Sequence, residues 1–182
     1  VTTPPLRGLW LGLALLAAGC ATEVPAPRVD YSASYDFSLL HRLALQPPGD
    51  GQAAGLAPER VAAINQALAA AVVEKGITVV EQADNADALL RWHLAGSDPA
   101  ANAAYDSMSL YSCWRCGTAV ADVGMPAWQP GTLVVDVLER REGRPLWRAT
   151  VDTRLTPGGS ALTDEERREA ARTVLANFPP LP

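Results

Sequence analysis

The sequence predicts an α+β domain: an antiparallel or mixed sheet of about five strands with two helices packed on one face. The expected element order is β-α-β-β-(long loop)-β-β-α. Two observations carry this. Apolar residues recur at three- and four-residue steps in only two stretches, near residues 58–75 and 164–178, while the other apolar runs alternate as strands do. Helices and strands also mix without the strict alternation that builds a doubly wound parallel sheet.

The elements follow in order. Phe37, Leu39, Leu43 and Leu45 stand at even spacing, a strand pattern that Pro47, Pro48, Gly49 and Gly51 stop. The first helix opens at Pro58, whose missing N–H costs nothing in a first turn, with Glu59 at the positive end of the helix dipole. Val61, Ile64, Leu68 and Val72 share one of its faces, and Lys75-Gly76 closes it. Ile77 to Val80 forms a short strand. Leu89 to Leu94 forms another, with Leu90, Trp92 and Leu94 on one face and Leu89, Arg91 and His93 on the other.

Gly131 to Glu139 places Leu133, Val135 and Val137 on one face. The turn Arg141-Glu142-Gly143-Arg144 joins it to Leu146 through Val151 as a hairpin. Thr163 and Glu166 form a capping box for the last helix, whose buried face is Ala171, Val174, Leu175 and Phe178. Residues 97–130 are expected to be a long loop.

The N-terminus carries an address. Arg7 precedes the apolar run from Leu9 to Ala18, which ends in small residues and Cys20, the order of a secretory signal peptide. The run is too short to span a bilayer, which takes roughly 20 residues. Ala18-Gly19-Cys20 resembles the lipobox of bacterial lipoproteins, whose cysteine is acylated and becomes the new N-terminus. This resemblance implies a covalent lipid on Cys20. Ala21 and Thr22, in place of an aspartate, imply the outer membrane, facing the periplasm. Ala17 and Gly19 also suit ordinary cleavage, which leaves an unlipidated secreted domain as an alternative. Residues 1–19 read as signal peptide, 20–34 as lipidated cysteine and flexible tether with Pro25 and Pro27, and 35–182 as a single domain.

The full chain of 182 residues has 15 Lys and Arg against 20 acids, a net charge of −5. Cleavage removes only Arg7 among the charges, so the mature domain is more acidic still. Such a surface disfavours nucleic acid and anionic headgroups. One partner is expected to be the membrane, through the anchor, and another a protein of the envelope.

With Cys20 used by the anchor, Cys113 and Cys116 remain as a pair, which in an oxidising compartment most simply means a disulfide. The Cys-x-x-Cys spacing also fits a thiol-disulfide active protein, since such motifs activate the first thiolate at a helix start. Asp122, Gly124 and Pro126 argue for a loop instead. Zinc would need further Cys or His ligands nearby, and the only histidines are His41 and His93. No serine sits in a Gly-x-Ser-x-Gly elbow. No catalytic residue, metal or cofactor is therefore expected, the lipid apart. Within the long loop, Tyr111, Trp114 and Trp128 are the candidate partner-binding residues, aromatic side chains being enriched at contact surfaces. The competing reading has these aromatics covering an open sheet face as a local core.

The ordered set of segments resembles the bacterial envelope lipoproteins of the domain-of-unknown-function 4136 family. The resembling residues are Tyr35-Asp36-Phe37, Lys75-Gly76, Ala86 to Leu90, Gly131 to Val137, Leu146 to Ala149 and Asn177 to Pro180. The resemblance implies an exported, lipid-anchored α+β domain with a non-catalytic role in binding, assembly or envelope maintenance. It transfers no catalytic residue.

Overall fold

The computed structural model describes residues 25–49, 52–108, 128–153, 155, 159 and 162–180. Its strands are β1 (Arg28–Tyr31), β2 (Arg42–Gln46), β3 (Thr78–Val80), β4 (Ala88–Leu94), β5 (Thr132–Glu139) and β6 (Pro145–Asp152). Its helices are α1 (Pro58–Glu74), α2 (Pro99–Met108) and α3 (Asp164–Val174). One mixed sheet runs in the order β1-β6-β5-β4-β2-β3. The β4-β5-β6-β1 side is antiparallel, whereas β2 pairs parallel with both β3 and β4. The parallel pairing of β2 and β3 requires a crossover, and α1 supplies it.

The α+β class and mixed sheet agree with expectation, and the differences are local. The sheet has six strands because Arg28–Tyr31, inside the segment expected to be tether, pairs antiparallel with Trp147–Thr150. The ordered domain thus starts before residue 35. Residues 37–39 form a 3-10 turn rather than the start of a strand, because the Asp36 carboxylate accepts from both Ser38 N (3.0 Å) and Ser38 Oγ (2.6 Å). A third helix, α2, occupies the start of the region expected to be loop, and Asp98 accepts from Ala100 N within its first turn at 2.9 Å.

The main core lies between the sheet and α1 with α3. Leu43, Leu90, Trp92, Leu94, Val135, Val137, Trp147 and Ala149 meet Leu68 and Val72 of α1 and Ala171 and Val174 of α3. Fully burying one such large apolar side chain contributes about 1.5–3 kcal/mol. Trp92 also donates from Nε1 to Asn65 Oδ1 at 2.7 Å, which orients α1 over β4. Arg172 of α3 reaches Glu74 of α1 through two bonds of 2.9 Å. The capping box is present, with Thr163 Oγ1 accepting from Glu166 N and the Glu166 carboxylate accepting from Thr163 N.

Gly131 sits at φ +90°, where the chain enters β5. A Cβ there would lie 3.1 Å from the Thr153 carbonyl oxygen. Gly143, at φ +65°, makes the β5–β6 turn, which Glu139 N closes on Arg144 O at 2.7 Å.

Candidate functional site

The opposite face of the sheet holds the chemistry. A small apolar cluster of Ala44, Ala86, Leu89 and Leu138, with Val80 against it, occupies one end. The rest of that face is polar. Strand register sets Arg91 of β4 opposite Asp136 of β5, Asp136 opposite Arg148 of β6, and Arg148 opposite Asp30 of β1. Charges of alternating sign thus cross four strands in one row. Side chains two residues apart share a face, so His93 flanks this row.

Asp136 is fully buried and Arg148 nearly so. Arg148 donates from Nε to Asp136 Oδ1 at 2.6 Å and from Nη2 to Oδ2 at 3.0 Å. This bidentate geometry is what a guanidinium fork provides and an ammonium does not. Tyr105 of α2 donates its hydroxyl to Asp136 Oδ2 at 2.9 Å. Burial, reinforced by the Asp136 carboxylate, pushes the Tyr105 phenol well above its ordinary value. The phenol stays protonated and remains a donor.

His93 stacks on Tyr105, with ring centroids 4.5 Å apart. Its Nε2 lies 3.0 Å from Asn102 Oδ1. Asn102 is itself oriented by Gly96, since Oδ1 accepts from Gly96 N (3.2 Å) and Nδ2 donates to Gly96 O (3.1 Å). With the amide fixed that way, Oδ1 faces the imidazole, so His93 carries its proton on Nε2. Nδ1 is buried and finds no partner of hydrogen-bond geometry among the described residues. Burial lowers the His93 pKa from the usual histidine value, and the Asn102 bond offsets part of that. The ring is neutral near pH 7.

Arg91 lies with its guanidinium carbon 4.7 Å from the Tyr105 ring centroid, in cation–π contact. Its Nε and Nη2 are buried and form no hydrogen bond among the described residues. Trp128 closes the group from above, 5.6 Å from His93 and 6.1 Å from Tyr105 between ring centroids, with Arg148 stacked 5.6 Å from its ring.

Of the residues singled out in the sequence, Trp128 is therefore packed on the polar face against His93, Tyr105 and Arg148. Cys20, Tyr111, Cys113, Trp114 and Cys116 lie outside the described residues. His41 is exposed at the start of β2, where its backbone N–H and that of Arg42 donate to Asp87 Oδ2. The two histidines are not brought together. No group of three or more His, Cys, Asp or Glu side chains suited to a metal occurs among the described residues. Sequence reasoning overlooked Arg91, Asn102, Tyr105 and Arg148 as a unit. The available signal was the charge at the middle of three apolar strands (Arg91, Asp136, Arg148), a costly placement unless the charges meet.

The comparisons with known proteins bear on the whole fold. Residues 27–180 match the family described as Domain of unknown function (DUF4136). No curated protein matches. Among solved structures, a PDZ domain protein from Parabacteroides distasonis is 13% identical with a TM-score of 0.52. The match covers 88% of this chain and 36% of that one, so the chain spans about a third of that protein's length. A DUF4136 family protein from Bacteroides thetaiotaomicron is 12% identical over 84% of this chain and 92% of its own, with a TM-score of 0.49. The PelC dodecamer from Paraburkholderia phytofirmans is 15% identical over 82% of this chain and 96% of its own, with a TM-score of 0.47.

Proposed function

This chain belongs to the DUF4136 family, and on that premise we propose that it is an exported lipoprotein with a non-catalytic binding, assembly or envelope-maintenance role. An acylated Cys20 holds it on the outer membrane, with the domain facing the periplasm. The observation that carries this reading is the order of Arg7, an apolar run, and Ala18-Gly19-Cys20, followed after a short proline-containing link by the first strand at Arg28. The polar face of the sheet supports a non-catalytic role. Asp136 is engaged by Arg148 and Tyr105, and His93 by Asn102 and the rings around it, so these groups serve one another.

Intact-mass measurement on protein purified from membranes tests the anchor. The expected mass is that of residues 20–182 plus acyl chains, and Cys20→Ala is expected to abolish both the added mass and the partition into detergent. A mature chain starting at another residue, or one recovered in buffer without detergent, overturns the reading.

A further inference from the structure

We propose that the surface formed by Tyr31, Leu39 and the aromatic groove beside them docks on the bilayer interface itself; this rests on the lipidation of Cys20 argued above. Three observations converge on it. First, β1 is an edge strand starting at Arg28, eight residues after Cys20, and a chain of that length reaches at most about 29 Å. The tether thus enters the domain at the β1 edge and confines that edge to within this reach of the acyl chains. Second, the exposed large hydrophobic side chains among the described residues are Tyr31 (38%), Leu39 (65%) and Val73 (56%), and the first two belong to this edge and the turn that follows it.

Third, a groove of about 290 Å³ opens at the same place, lined by Tyr31, Tyr35, Phe37 and Pro180 among others. Its rings stand edge to face, Tyr35 on Phe37 at 4.9 Å and Tyr31 on Phe37 at 6.2 Å, and Phe37 is backed by the buried Phe178. This gives a rigid aromatic platform. Tyrosine is favoured at the headgroup level, where its ring is sheltered and its hydroxyl stays wet. The one carboxylate among the described groove residues, Asp36, is exposed and accepts from the Ser38 N–H and hydroxyl, which suits the wet headgroup level rather than the acyl region. A single lipid anchor would leave the domain free to swivel; contact through this platform fixes which side faces the periplasm.

Hydroxyl-radical footprinting of the lipidated chain on vesicles of phosphatidylethanolamine and phosphatidylcholine (3:1), which carry no net charge to repel the acidic domain, tests this, with the soluble Cys20→Ala chain as reference. Labelling of Tyr31 and Leu39 is expected to slow several-fold on vesicles while Val73, on α1, is unchanged. Leu39→Glu, at an exposed position, is expected to leave the chain floating with the vesicles yet return Tyr31 labelling toward the reference. A chain that floats with Tyr31 and Leu39 labelled as in the reference overturns the docking alone. Equal slowing at Val73, or full protection of Tyr31 in Leu39→Glu, also overturns it. A chain that does not float overturns the docking together with the lipid anchor.

Discussion

Asp136 and Arg148 face one another across β5 and β6 and join through two hydrogen bonds while both are buried. Tyr105 adds a third bond to the same carboxylate and so ties α2 to the sheet. A buried pair of this kind is costly to break because the surviving partner keeps its desolvation penalty. Asp136→Ala is expected to lower stability by about 3–5 kcal/mol, read as a shift in the urea midpoint. Tyr105→Phe, which keeps the ring stack and removes only the hydroxyl, is expected to cost about 1.5–3 kcal/mol, the range for a hydrogen bond to a charged group.

Trp128 distinguishes packing from recognition. Trp128→Ala uncovers His93 and Tyr105, and a loss of roughly 2–3 kcal/mol is expected, below the full cost of a core tryptophan because the ring is only partly buried. A melting temperature equal to that of the parent would show that the ring contributes little to the local core and is available to a partner.

The imidazole of His93 gives a pH dependence with a definite sign. Its pKa is lowered in the folded state, so the unfolded chain binds the proton first as pH falls. Stability is then full above the ordinary histidine pKa near 6.5 and declines as pH drops from there toward the folded value. A protonated ring would also face the positive charge of Arg148, against which Asp136 is the nearby compensation. Urea midpoints at pH 7 and pH 5 are expected to differ less in His93→Gln than in the parent.

Gly131→Ala tests the entry to β5. Positive φ and a Thr153 carbonyl 3.1 Å from the added carbon together predict a loss of about 1–3 kcal/mol by chemical denaturation. The same change at Gly143, where φ is +65° but the space is open, is expected to cost less.

Thr163→Ala removes an acceptor for Glu166 N at the start of α3, and about 1 kcal/mol of stability is expected to go with it. Glu166→Gln keeps the backward bond to Thr163 N in neutral form and is expected to cost less, as thermal unfolding can show.

The sequence made α1, α3 and the β5–β6 hairpin readable because each presents an apolar stripe to one core with clear caps or turns at its ends. It also sorted the β4 side chains into two faces, grouping Leu90, Trp92 and Leu94, the set that the fold turns to the main core. α2 was hidden because its buried side chains among the described residues are Asn102 and Tyr105 between alanines, a stripe without the large aliphatic residues that mark α1. Its only signal was Asp98-Pro99, a helix opening. β1 was hidden because four residues beside Pro25 and Pro27 are too few to show alternation, and its pairing with β6 is remote in sequence. The polar row was invisible for a related reason: Arg91, Asp136 and Arg148 become neighbours only once the strand register is known.

That row has a consequence for how the strands find their alignment. β4 and β5 are buried along almost their whole length on both sides, so apolar alternation gives weak instruction about which side belongs inward. Slipping β6 by one residue sets Asp136 against Trp147 or Ala149, and slipping it by two sets it against Leu146 or Thr150. In each case a carboxylate is stranded in a dry interior. The three central charges thus act as a keyed lock on strand alignment, admitting one setting and penalising its neighbours, in a sheet whose greasy residues alone would tolerate several.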